Sequence, residues 1–419
     1  MITEILGGIF NQILGILSIS WWFLLPLALI FIFWEFWQYY IYIGYLRSQK
    51  WLLLEIKIPT MIEKDPKAME QVFAAAYGIY SYGFRFWQKY WEGRLQEDFI
   101  SFELVGYAGS VHFYIRTPDS YRNLIESAIY AQYPNAEIHL AEDYRNLMPK
   151  TLPNEVYDIW GTDYHLSKDD AYPIRTYEYF EASVKEKRLD PIAAITEVMS
   201  KLKDDEALWI QIFIRPTGDD WKKKGEALRD TLVGRKKPGS PPGFLEKIWQ
   251  FFRNLVIAPI EHPVWPEDAK REEQQTRMLL MTPGEKDIIE GLERKIGMLA
   301  FQTNIRFIYI DKRDSFTRSN VAATMSTFNQ FNTQNLNSLR PNTSTFTIAR
   351  GLFKKRKLWY RKRRLYDSYQ KLMWPKRKSI LNVQELATLY HFPSIVVEAP
   401  MLRHLVSKKG EPPAGLPIE

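Results

Sequence analysis

Twelve cations crowd into residues 354–378: Lys354, Lys355, Arg356, Lys357, Arg361, Lys362, Arg363, Arg364, Lys371, Lys376, Arg377 and Lys378. Asp367 is the only acid there, so the stretch carries +11 and the other residues of this +7 chain sum to −4. Aromatic residues are interleaved: Phe353, Trp359, Tyr360, Tyr366, Tyr369 and Trp374. The chemistry open to such a run is polyanion binding. Beside a membrane helix it reads as a contact for anionic lipid, worth about 1 kcal/mol per Lys or Arg near the surface, with Trp359, Tyr360 and Trp374 inserting at the interface. The same cations neutralise nucleic-acid phosphates, and the aromatic rings offer stacking platforms. A solvated helix face has this composition too. The candidate contact set is the twelve cations together with Trp359, and the residues alone leave the three readings open.

No other constellation carries chemistry. The absence of Cys excludes a disulfide scaffold, a Cys zinc site, an iron–sulfur cluster and a thiol nucleophile. Gly218 to Gly225 (GDDWKKKG) has lysines and glycines in the wrong order for a P-loop. His112, His139, His165, His262, His391 and His404 show no metal-ligand spacing, and His112 and His139 fall on the outward phase of expected strands. Asp204, Asp205 and Glu206 sit in a turn and read as solvated. No catalytic, cofactor or metal site is expected, and the chain is expected not to be an enzyme.

The elements that must hold the basic run begin with an anchor. Residues 5–34 contain no charge, and Ile16–Trp34 is dense in large apolar side chains. A span needs about 20 such residues, so a transmembrane helix is expected at roughly 19–43, with Trp21, Trp22, Phe23, Leu24, Leu25, Phe31 and Trp34 facing lipid. Pro26 is tolerated inside a span. The start, MITEIL, lacks the basic n-region of a signal peptide. Arg47, Lys50 and Lys57 follow the span, which puts the bulk of the chain in the cytoplasm. Ile2, Ile5, Leu6, Ile9, Phe10, Ile13 and Leu14 recur at helical spacing, either as an interfacial helix or as an extension of the span.

At 419 residues about two domains are expected, at ~150 residues each. Trp51–Ile58 alternates as a half-buried strand. A helix follows Asp65-Pro66, a hairpin joins Phe99–Leu104 to Val111–Ile115, a helix follows Thr117-Pro118, and Ala136–Leu140 is a last strand. The order βαββαβ is the ferredoxin-like pattern. Between its first helix and the hairpin, Ile79–Arg94 is strongly aromatic, either membrane- or partner-facing or packed under a loop. The vocabulary recurs: a strand at Arg175–Tyr179, a helix after Asp190-Pro191, a strand at Leu208–Ile214, an insertion at 217–281, a helix opened by the Thr282–Glu285 capping box, a closing strand at Ile305–Tyr309 and an extra helix near 319–331. The expected architecture is therefore α+β. It comprises an anchor (1–46), a first ferredoxin-like module (47–150), a degenerate second module (151–335), and a polar loop, basic helix and linker (336–419).

The segment order carries a resemblance. A membrane helix leads into YLRSQKWLLLEIKIP, then AMEQVFAAAYGIY, VHFYIRTPDSYRNLIESAIYAQYPNAEI, DAYPIRTYEYFE, LDPIAAITEVMSKL, LWIQIFIRP, RKRRLYDSYQK and LNVQELATLYHFP. This resembles the membrane-proximal N-terminal region of bacterial type IV secretion and conjugative DNA-transfer ATPase-like proteins. The resemblance implies a domain of unknown function on the bacterial inner membrane that assembles with a P-loop translocation ATPase, as a homo-oligomer, with membrane lipids and DNA as further partners. In those relatives a linker like KKGEPPAGLPIE leads into the motor. Here Glu419 follows it, so the motor is expected on a separate polypeptide or lost. The function expected is a non-catalytic anchor or scaffold for that ATPase, the alternative being a membrane-tethered nucleic-acid-binding module that acts without a motor.

Overall fold

The computed structural model describes residues 2–58, 64–81, 83–94, 96–182, 190–233 and 281–393. Most of the expected insertion (234–280) and the terminal linker from 394 onward lie outside the described residues. Two compact units emerge: Met1–Trp51 with Ser81–Glu97, and Leu52–Tyr80 with Asp98–Glu419. The first three helices are α1 (Ile2–Ser48), α2 (Lys67–Ala76) and α3 (Phe86–Tyr90); α1 and α3 belong to the first unit.

Helix α1 runs unbroken for 47 residues, about 70 Å at 1.5 Å per residue. Its Ser20–Ser48 portion is long and apolar enough to cross a membrane. The helical spacing before the span is thus an extension of it. Trp21, Trp22, Phe23, Leu25, Phe31 and Trp34 are all exposed, while the side chain of Leu24 lies outside the described residues. The aromatic segment 84–94 packs along α1. The Tyr90 ring centroid is 5.6 Å from that of Trp34, and the Arg94 guanidinium lies over Tyr45 and Phe84. Gly93 has φ +76, and a Cβ there would collide with the Ile41 carbonyl. Phe86, Trp87 and Trp91 stay exposed, with the two indoles stacked at 4.5 Å.

The second unit is built on one open sheet. Its strands are β1 (Trp51–Lys57), β2 (Ile100–Tyr107), β3 (Ser110–Pro118), β4 (Glu137–Leu140), β5 (Tyr157–Leu166), β6 (Ala207–Pro216), β7 (Ala300–Lys312), β8 (Leu339–Pro341) and β9 (Ser379–Asn382). The spatial order is β4-β1-β3-β2-β6-β7-β5-β8, with β9 paired to β7. The β2–β3 hairpin turns at Ala108 and Gly109, both with positive φ, the two-residue turn whose twist suits a hairpin. Strands β2 and β6 pair antiparallel from Ile100↔Ile214 to Tyr107↔Ala207, so the sheet runs unbroken through the centre of the unit.

Further helices are α4 (Arg122–Gln132), α5 (Tyr177–Ala182), α6 (Ala193–Ser200), α7 (Asp220–Val233), α8 (Pro283–Ile296), α9 (Arg318–Asn329), α10 (Lys354–Gln370) and α11 (Val383–Leu389). One sheet face buries Phe102, Leu104, Ile210, Ile212, Ile305 and Phe307 against α2, α4, α6, α9 and α11. The other face buries Val105, Tyr114, Trp209, Ile308 and Ile310 against Leu365, Tyr366 and Tyr369 of α10. With both faces covered, β6 is buried along its whole length.

Three expectations need correction. Arg175–Tyr179 is not a strand: Tyr177 and Phe180 are buried three residues apart while Tyr179 is exposed, which is helical spacing, and the segment enters α5. The missed strand is β5, whose second face carries Gly161 and Asp163 in place of apolar residues. Ile305–Tyr309 lies inside β7, a central 13-residue strand and not a closing one. Residues 336–393, expected as a polar loop and basic helix apart from the modules, supply β8, β9, α10 and α11 to the same unit, because α10 and α11 bury apolar faces on the sheet.

Candidate anionic-surface interface

The basic run is helical as far as Gln370, and its inner side is fixed before its outer side is free to act. Lys362 reaches both carboxylate oxygens of Asp158 on β5 at 2.7 Å. Tyr369 Oη is 2.6 Å from Tyr144 Oη, which donates to Glu103 at 2.9 Å. Glu103 also accepts from Arg116 Nε at 3.1 Å and from Gln211 Nε2 at 3.1 Å. Arg116 bridges on to Asp143 at 2.9 Å. Arg145, itself on Asp143, donates to the Gln370 carbonyl at 2.6 Å, placing a cation at the C-terminal end of α10 where the helix dipole favours one. Burial works against charge at Glu103, yet Arg116 outweighs it and lowers the carboxyl below its usual range. At Asp143 burial is likewise overcome, by Arg145 and Arg116, and the carboxyl sits well below the carboxylate range.

This lattice divides the thirteen candidate residues. Arg361 donates to the carbonyls of Phe346 and Ile348. Lys362 is buried on Asp158, Arg363 pairs with Asp367 at 3.4 Å, and Arg377 donates to the Leu166 carbonyl at 3.3 Å. Lys378 contacts Gln302 Oε1 at 3.4 Å; burial, then the charge of Arg215, pulls its ammonium down to about 8. These five are occupied inside the protein. Lys354, Lys355, Arg356, Lys357, Arg364, Lys371 and Lys376 are exposed and make no ion pair among the described residues. Trp359 is exposed beside them, as is Tyr360. Trp374 does not join that surface. It is half-buried against Phe213 at 5.3 Å, with the Arg215 guanidinium 4.3 Å over its ring.

What composition alone did not flag is the apolar shoulder at the start of α10. Leu352 is 81% exposed, Phe353 77%, Tyr360 61% and Trp359 50%, and Ile348 also faces solvent. Phe353 is held at φ +59, a left-handed conformation costly for a bulky side chain, and its ring is exposed directly before Lys354. The signal lay in LFKKRK as an apolar pair abutting four cations. Elsewhere, His112 pairs with Glu55 at 2.7 Å and buried His391 with Asp190 at 2.8 Å. Among the described residues no group of three or more His, Asp or Glu is placed to hold a metal.

Residues 63–403 match a domain of unknown function, DUF8128. The chain belongs to that family. The DUF8128 match begins beyond α1 and takes in α10 and its apolar shoulder. No curated protein matches the chain.

Proposed function

We propose that this DUF8128 protein is a non-catalytic, single-pass component of the bacterial inner membrane whose outer α10 face lies on anionic lipid headgroups from the cytoplasmic side. In this reading it scaffolds a separate P-loop ATPase in a type IV secretion or conjugative DNA-transfer-like system, as a homo-oligomer. The second unit is then two ferredoxin-like modules placed side by side, with strand orders β4-β1-β3-β2 and β8-β5-β7-β6 and the insertion lying between the second and third strands of the second module. The membrane and assembly parts rest on the apolar anchor, free of charge over residues 5–34, the basic residues that follow it and the segment resemblance.

One observation carries the lipid reading: aliphatic and aromatic side chains, Leu352, Phe353, Trp359 and Tyr360, are exposed next to Lys354–Lys357. A phosphate backbone uses the cations, and its bases stack on rings, but neither uses an exposed leucine. Headgroups with acyl chains beneath them use all of these. The alternative, a tethered nucleic-acid-binding module, shares the cations and rings but not Ile348 and Leu352.

Because the chain has no cysteine, Leu352→Cys takes a single environment-sensitive dye. In nanodiscs holding the full chain, the dye is expected to shift to the blue with anionic lipid, to revert in high salt, and to stay unchanged when duplex DNA is added to zwitterionic discs. A DNA-dependent shift without a lipid-dependent one would move the assignment to the alternative. The same preparation is expected to hydrolyse no ATP alone and to retain on the disc a P-loop ATPase encoded beside it.

A further inference from the structure

Helices α5 and α8 and the start of α11 enclose a cleft of about 420 Å³, within the size range of small-molecule sites. Its floor is rigid. Lys295 is fully buried, with Nζ 3.0 Å from Glu385 Oε2 and 3.2 Å from the Tyr172 carbonyl. Glu385 also accepts from the backbone N–H groups of Ile174 at 2.8 Å and Asn382 at 2.9 Å. The charge of Lys295 is therefore spent internally. Beside this floor lies Gln384, only 3% exposed, which lines the cleft and whose side-chain amide makes no hydrogen bond to any described residue. The Thr176 hydroxyl lines the same space, buried and equally without a partner among the described residues. Neither polar end is sealed off from solvent, so both open onto the cleft and can hydrogen-bond a polar group bound there.

The rim sets the sign of the charge it takes. Glu178, Asp287 and Glu290 face one cation, Arg294, which donates to Glu178 at 2.7 Å and Glu290 at 3.0 Å. Asp287 has no ion-pair partner among the described residues. Burial, with the nearby charge of Glu178 adding to it, pushes the neighbouring Glu70 carboxyl up. The exposed Tyr179 ring offers a face for a cation. Gly291 keeps the space open: a Cβ there would sit 3.3 Å from Pro173 Cγ and 3.4 Å from Leu336 Cδ2.

We propose that this cleft is a binding site for a compact organic cation, an alkylguanidinium or alkylammonium. Its charge lies among Glu178, Asp287 and Glu290, and its adjoining polar group meets Gln384 and Thr176. The cation comes either from a free small amine or from an Arg or Lys side chain of a partner protein. Calorimetry on the detergent-solubilised full chain, at constant ionic strength, tests this with agmatine, spermidine and a short arginine-containing peptide, and with succinate as the anionic control. Saturable binding of the cations and none of succinate is expected. Tighter binding of agmatine or spermidine assigns the free amine, and tighter binding of the peptide assigns the side chain.

Asp287→Asn, an exposed change, and Gln384→Leu are each expected to weaken binding about tenfold, while Lys201→Ala, an exposed change at a residue that does not line the cleft, leaves it unchanged. Should Gln384→Leu fail to fold, Asp287→Asn and Gly291→Leu carry the test. The proposal is overturned if no cation binds saturably, if all variants bind alike, or if a crystal soaked with agmatine holds only water in the cleft.

Discussion

At the scale of single residues, the lattice under α10 is an electrostatic device with a definite pH signature. The carboxyl of Asp143 is held well below its ordinary 3.8, since Arg145 and Arg116 outweigh its burial. A carboxyl depressed by folding stabilises the fold while ionised, and that contribution disappears as pH falls through its lowered value. Asp143→Asn is therefore expected to cost roughly 2 kcal/mol at neutral pH. The gap between variant and wild type is expected to begin closing as pH drops below 3.8, where the unfolded carboxyl takes up its proton, and to vanish only below the lowered folded value, where both side chains are neutral. Denaturant titrations at neutral and acid pH measure it; a gap independent of pH would contradict the assignment. The sequence hid this lattice, because its members are widely separated: Tyr144 and Tyr369 are 225 residues apart and Lys362 and Asp158 204.

At the scale of elements, α10 has opposed duties. Leu365, Tyr366 and Tyr369 seal the sheet, while the opposite side and the shoulder before it stay open. Phe353 is the point where the two meet: it combines a left-handed backbone with an exposed apolar ring at the start of the helix. Phe353→Gly is expected to relieve about 1 kcal/mol of that strain and so raise the melting temperature, while lessening the lipid-dependent blue shift of a dye at Leu352→Cys. A loss of stability together with unchanged lipid contact would place the Phe353 ring in the core. The helix itself, its cations and its aromatic spacing were legible. Which cations are spent was not, because that depends on Asp158, Phe346 and Leu166, brought up from elsewhere in the chain.

At the scale of the whole molecule, the β2–β6 pairing matters most. Eight residue pairs join the two halves of the sheet, and both strands are buried along nearly all of their length. Separating the halves would expose two unpaired strand edges and apolar surface on both faces. The second unit is expected to unfold in one cooperative step, seen as coincident far-ultraviolet and tryptophan-fluorescence transitions in denaturant. Two separated transitions would show that the halves are energetically independent.

Local pattern was enough for the apolar anchor, the β2–β3 hairpin, the Thr282–Glu285 capping box and the basic helix, because each is specified by neighbours within a few residues. Strand β5 escaped it, because Asp163 reads as polar until Arg306 arrives from 143 residues away to neutralise it at 2.7 Å. The joining of both halves into one sheet, the covering of its second face by the most basic stretch of the chain, and the cleft around Gln384 are likewise properties of long-range packing. The +11 run was plain in composition. Its division into five cations with partners in the protein and seven without was decided mostly by tertiary contacts, with Asp158, Gln302 and the carbonyls of Phe346, Ile348 and Leu166; only Arg363, paired with Asp367, was settled within the helix itself.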